Sequence, residues 1–118
     1  MRIRKIKEKD IAGAVQLMRR MGAKIDEEAF AARLHDFQYK RNHTVVVVWY
    51  RARIIALMHV GIAPSLMADR RATVFTMFID PDCSQPGLRE NLLAYAEDWS
   101  HQHGCESVVH REGVKKAQ

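Results

Sequence analysis

From Pro81 to Leu93 the chain reads Pro-Asp-Cys-Ser-Gln-Pro-Gly-Leu-Arg-Glu-Asn-Leu-Leu, and these residue types suit the binding of an anion. An apolar segment, Ala72 to Ile79, runs into Asp80-Pro81, and an amphipathic pattern opens at Gly87. A strand that feeds a loop and then a helix brings amide N–H groups without intrahelical partners to one point. The helix dipole adds partial positive charge there. A pyrophosphate fits that chemistry. Arg89 has two readings: its guanidinium can hold a phosphate through parallel hydrogen bonds, or its bulk can crowd the approach to the backbone. Pro86 brings no N–H. The plainer alternative is a turn capped by Gly87 before an ordinary helix, since one glycine is weak evidence by itself.

Other reactive side chains give less. Histidines stand at 35, 43, 59, 101, 103 and 110, with no pair at i, i+4 around a glutamate. His101 and His103 diverge on a helix, so no metal is expected. His110 lies near the end of the last expected strand, where a neutral imidazole can act as a base, although a surface histidine is the commoner role. Cys83 and Cys105 are too few for a disulfide framework. Cys105, in an apolar Gly-Cys-x-x-Val setting, reads as a small core residue; Cys83 could be a reactive thiol beside a helix N-terminus, but an inert loop thiol is the commoner role.

The elements that must position these residues follow from periodicity. Periodicity leaves Arg2 to Lys7 open: it could be an opening strand, but its pattern is not clean alternation. Asp10 is placed to cap a helix bearing Ile11, Ala14, Val15, Met18 and Met21 on one face, with Gly22 as its stop. A second helix begins near Asp26, with Glu27 and Glu28 in its first turn and Phe30, Leu34 and Phe37 at helical spacing. Thr44 to Tyr50 and Ile54 to Ile62 are strands, joined by a turn without the usual Asn-Gly or Asp-Gly; Gly61 suggests a bulge. Pro64 to Arg71 is a loop. Ala72 to Ile79 is apolar on both faces, as a central strand covered on both sides requires. A helix from Gly87 to His103 and a short strand over Glu106 to His110 complete the plan.

Composition bounds the rest. At 118 residues the chain is expected to form one domain over 1–118. No apolar run is long enough for a membrane helix, no signal peptide opens the chain, and a cytoplasmic location is the default. The formal net charge of +5 is spread along the chain without a nucleic-acid-binding motif, so nucleic acid is not the expected partner.

The stretch from Ile79 to Val108 resembles the signature of the GNAT superfamily of acetyl-CoA-dependent N-acetyltransferases. Ile79-Asp80-Pro81 matches the family's Val-x-Pro-like turn, and Gly87 falls on the central glycine of its pyrophosphate loop. Leu92-Leu93, Ala96-Glu97-Asp98-Trp99 and Gly104-Cys105-Glu106-Ser107-Val108 match the helix and strand that follow. The loop departs from the pattern at Ser84, next to Gln85, and at Arg89, which stands at the last glycine or alanine position. The resemblance implies an α/β (α+β) fold: a mixed, mostly antiparallel sheet of about five strands flanked by three helices, lacking the last helix and strands. The chain thus looks like a family domain cut short at its C-terminus.

The resemblance also implies a site. Acetyl-CoA is the expected co-substrate, held by Met77 and Ile79 through their backbone and by Gln85, Gly87, Leu88 and Arg89 around the pyrophosphate. Residues from Ala23 to Glu28 would lie beside the acceptor. Asp26, Glu27 and Glu28 could attract a cationic amine there, but helix capping is the better reading. The family's usual glutamate base falls at about Phe75, and its tyrosine acid would lie on a helix after Gln118, so no catalytic residue carries over. Three readings remain: a transferase acting by direct attack of an amine on acetyl-CoA, a CoA-binding module without turnover, or a dimeric interaction protein using the fold as scaffold. An open edge on the last strand implies a homodimer.

Overall fold

The computed structural model describes residues 2–38, 40–62, 66, 70–83 and 85–110. Its strands are β1 (Arg2–Lys5), β2 (His43–Tyr50), β3 (Arg53–Ile62), β4 (Arg71–Ile79) and β5 (Ser107–His110). They form one sheet in the order β1-β2-β3-β4-β5. The first three pairings are antiparallel, whereas β4 and β5 run parallel. The helices are α1 (Ile11–Arg20), α2 (Glu27–Gln38) and α3 (Leu88–Gln102). This is the mixed, mostly antiparallel sheet with three helices that the sequence implies.

Two apolar layers cover the sheet. On one face Val46, Val48, Met58, Val60, Val74 and Met77 pack against Leu88, Leu92, Ala96 and Trp99 of α3, with Cys105 buried among them. On the other, Val47, Ile54 and Leu57 pack against Ala14, Val15, Leu17 and Met18 of α1 and Leu34 of α2. Alternation along β2 and β3 puts neighbouring residues into opposite layers, which is why both strands read as unbroken apolar runs.

Two β-bulges set which side chain reaches which layer. Val48 pairs with Ala56 but Trp49 pairs with Ile54, so Ile55 is an extra residue in β3. His59 pairs with Thr76 but Val60 pairs with Val74, so Phe75 is an extra residue in β4. Gly61, expected as a bulge, is instead in regular register opposite His43 and Thr73. Its reason is close approach: an added Cβ would lie 2.6 Å from His43 Cε1 and 2.9 Å from Phe75 Cε2. The missing side chain lets two aromatic rings close over the strand.

Asp10 does not cap α1 with its side chain. It is buried in a short 3₁₀ turn, where it accepts from the Lys7 N–H at 2.8 Å and from both Nη atoms of Arg4 at 2.6 and 2.8 Å. A fork of two charge-assisted bonds competes successfully with a helix N–H for a carboxylate. Asp26 does cap as expected, its Oδ1 accepting from the Ala29 N–H at 2.7 Å at the start of α2. α1 stops where Gly22 and Ala23 donate to the carbonyls of Arg19 and Met18.

Candidate functional site

β4 is paired on its β5 side only through Arg71 to Val74, which meet Ser107 to His110. From Thr76 to Ile79 no strand among the described residues pairs with that side of β4. Its opposite side stays in register with β3 as far as Ile79, and the Asp80 N–H continues the ladder to the Ile55 carbonyl at 2.8 Å. Among the described residues, the β5 side of β4 from Thr76 to Ile79 thus keeps backbone groups that no strand takes up.

This stretch of β4 ends at a turn held by Asp80. Its buried carboxylate accepts from Arg20 at 2.7 Å and Arg53 at 2.6 Å through Oδ2, and from the Asp82 N–H at 2.9 Å through Oδ1. Burial pushes this carboxyl upward, but the Asp82 N–H and the two guanidinium groups outweigh it, leaving the group below the usual carboxylate range. Asp80 thereby ties the end of α1 and the β2–β3 turn to the loop that leads into α3.

Gly87 begins α3 with φ +79, a left-handed value that would strain any residue with a Cβ, although an added Cβ would meet no atom within 4 Å. The Leu88 N–H is taken by the Gln85 carbonyl at 3.2 Å, and the first helical bond runs from the Asn91 N–H to the Gly87 carbonyl at 2.8 Å. The N–H groups of Arg89 and Glu90 have no backbone partner among the described residues. Sequence reasoning grouped six residues here, and the structure divides them. Gly87 and Arg89 lie at the helix start, Arg89 and Gln85 are half-buried, Leu88 is core on the α3 side, and Met77 and Ile79 lie on the open strand, Met77 with its side chain buried. Ser84, the segment 111–118 and the side chain of His110 lie outside the described residues, as does most of the loop expected over Pro64 to Arg71.

On the opposite face of the sheet lies a cleft of about 360 Å³. Thr76 and Phe78 of β4 and His59 of β3 line it together with the segment Ala23, Lys24 and Ile25 and with Phe30, Arg33 and Phe37 of α2. Of the segment expected beside the acceptor, Ala23, Lys24 and Ile25 line this cleft, whereas Asp26, Glu27 and Glu28 do not.

His59, which lines the cleft, belongs to a pair that sequence reasoning missed. His43 Nδ1 and His59 Nε2 are 3.0 Å apart, with one ring nitrogen donating and the other accepting. Phe37 and Phe75 lie over them, with ring centroids 4.5 and 5.1 Å from His59. Burial lowers the pKa of His59 to about 4, with His43 adding to the effect, and burial lowers that of His43 as well, helped by Lys40. Both rings are neutral near pH 7. Phe75, at the position where a glutamate base was sought, is one wall of this imidazole pair. Among the described residues, no three His, Cys, Asp or Glu side chains gather to hold a metal ion.

Solved structures share the architecture. Glucosamine-6-phosphate N-acetyltransferase from Arabidopsis thaliana superposes with a TM-score of 0.82 at 19% identity, covering 96% of this chain and 82% of that one. An aminoglycoside 6'-N-acetyltransferase from Acinetobacter haemolyticus gives 0.82 at 15% identity, covering 98% and 82%. A transcriptional regulator from Bacillus halodurans gives 0.81 at 17% identity, covering 93% and 80%. At such identities the likeness is one of fold. No curated protein matches the chain. The model of the acetyltransferase (GNAT) family matches residues 11–116, nearly the whole length, and the chain belongs to that family.

Proposed function

We propose that the chain is a single-domain, cytoplasmic N-acetyltransferase that binds acetyl-CoA and passes the acetyl group to a primary amine by direct attack. The observation that carries this reading is the β4 edge from Thr76 to Ile79, with which no strand among the described residues pairs on the β5 side and which leads to the N-terminus of α3. The amides of a pantetheine arm can pair with such an edge as an added strand would, through the backbone of Met77 and Ile79. The pyrophosphate then lies against Gly87 and the N–H groups of Arg89 and Glu90, with Gln85 and Leu88 bordering it. Arg89 adds a formal charge at that point.

The thioester lies at the opening of the sheet, beside the strand whose Thr76 and Phe78 line the cleft. The amine lone pair forms a bond to the carbonyl carbon, and the carbonyl electrons move to oxygen, where a backbone N–H stabilises them. Collapse breaks the C–S bond, and the proton shed by nitrogen ends on the departing thiolate. No carboxylate lies on β4, so the acceleration comes from positioning and from polarising the carbonyl. A homodimer joined along β5 is part of this reading.

Phe75 favours a second reading, a CoA-binding module without turnover, because an aromatic ring stands where a base was expected. Calorimetric titration with acetyl-CoA tests the binding that both readings require, and release of the CoA thiol with a panel of amines separates the two. Arg89→Glu should weaken acetyl-CoA binding about tenfold or more, because it exchanges attraction for repulsion at the phosphate position. Unchanged affinity would remove Arg89 from the site. Absence of binding by the unaltered protein would end both readings.

A further inference from the structure

Resting on the transferase reading, we propose that the acceptor is a primary amine with an apolar or aromatic body and a carboxylate, in chemical terms an α-amino acid with a large apolar side chain. The cleft is small, about 360 Å³, which suits a molecule of amino-acid size better than an oligosaccharide. Much of its wall comes from Met18, Ile25, Phe30, Phe37, Leu57 and Phe78, and its polar lining is confined to Lys24, Arg33, His59 and Thr76, too few to serve the many hydroxyl groups of a sugar. A hydroxyl buried there without a partner would cost affinity, whereas a phenyl or isobutyl group gains it.

Charge then selects the head group. The charged residues lining the cleft are Lys24 and Arg33, with no aspartate or glutamate among the lining residues. Both are exposed and, among the described residues, neither is in an ion pair. Asp26 lines a neighbouring depression together with Arg19 and Lys24, two cations to its one charge. One of its oxygens is already held by the Ala29 N–H. A polycation such as a polyamine or an aminoglycoside would meet two like charges and no counter-ion, which is discrimination by repulsion. A carboxylate would meet Lys24 or the guanidinium fork of Arg33. With its Nε2–H donating to His43 Nδ1, the neutral His59 ring, which also lines the cleft, can accept a hydrogen bond from the amine at Nδ1 without adding charge.

The test measures CoA-thiol release by the whole chain with saturating acetyl-CoA. L-phenylalanine and L-leucine are compared with 2-phenylethylamine, phenylalaninamide, spermidine and kanamycin. The expected kcat/KM for L-phenylalanine is at least tenfold above that for 2-phenylethylamine and for both polycations. Lys24→Glu combined with Arg33→Glu should reduce it tenfold or more, mainly through KM, and should raise activity toward spermidine, while the Kd for acetyl-CoA stays unchanged. A reversed order of substrates, or selectivity unmoved by the double substitution, overturns the assignment while leaving the transferase intact. Should acetyl-CoA not bind, the transferase reading fails separately. Calorimetric titration of L-phenylalanine against 2-phenylethylamine then judges the cleft alone, and equal affinity for the two overturns the carboxylate preference.

Discussion

His59 shows how a single side chain can couple the cleft to pH. In an unfolded chain its imidazole takes up a proton below about pH 6.5, whereas burial beside His43 delays that until about 4 in the folded state. Between those values the unfolded state binds more protons, so folding stability falls as pH falls through the window and is fully present above it. His43, also lowered, acts in the same sense. Because the rings are only partly buried, we discount the full linkage value and expect a loss on the order of 1 kcal/mol in unfolding free energy from pH 7 to pH 5. Urea denaturation at the two pH values checks this, and His59→Gln should flatten the difference. A curve as steep in the variant as in the parent would mean that other groups carry the dependence. Asp10 and Asp80, with carboxyls held below their ordinary range, respond in a separate window: their contribution is present above about pH 4 and is lost on further acidification.

At the scale of elements, the β2–β3 hairpin explains both what the sequence reveals and what it hides. The strands, the helices and the Gly87 turn are legible because apolar periodicity, β-branched runs and helix stops all point the same way. The histidine pair is not legible, and one residue is responsible. A two-residue turn at Arg51-Ala52 pairs Tyr50 with Arg53, and an uninterrupted register would then set His59 opposite Thr44, on the other face from His43. The bulge at Ile55 shifts the ladder by one, places His59 opposite Val45, and brings both imidazoles to the same face. Nothing in the local composition marks Ile55, which reads as one more apolar strand residue. Gly61 was the better clue, but to crowding rather than to a bulge. The turn itself is strained: Arg51 and Ala52 have φ values of 51 and 64, although neither is glycine or asparagine. This left-handed pair suits the twist of the strands, which is why a tight turn forms without Asn-Gly. Replacing Ala52 with glycine should relieve the strain and raise stability by about 0.5–1 kcal/mol, the loss of strain being partly offset by unfolded-state entropy. Thermal unfolding of A52G reads this directly, and a lowered Tm would show that Ala52 is not strained.

The whole molecule presents two sheet edges of different character. β1 carries Arg2, Arg4 and Lys5 along four residues, a charged edge of the kind that repels a second copy. β5 reads Ser-Val-Val-His without a formal charge, and among the described residues no strand pairs with its far side. Val109 is 38% exposed there, one of the large apolar side chains left in solvent. Two copies related by a two-fold axis could join their β5 strands antiparallel, and the sheet would then continue through both subunits. The cleft and the α3 N-terminus lie away from that axis on the β4 side, so each copy would keep a complete site. On this account the protein is a dimer by light scattering at tens of micromolar. Val109→Lys, which puts like charges close together across the axis, should yield a folded monomer with an unchanged circular dichroism spectrum. If the parent chain is already monomeric at that concentration, or if the lysine variant still dimerises, β5 is not the joint. A monomeric variant that retains acetyl-CoA affinity would further show that binding needs only one copy of the opened sheet.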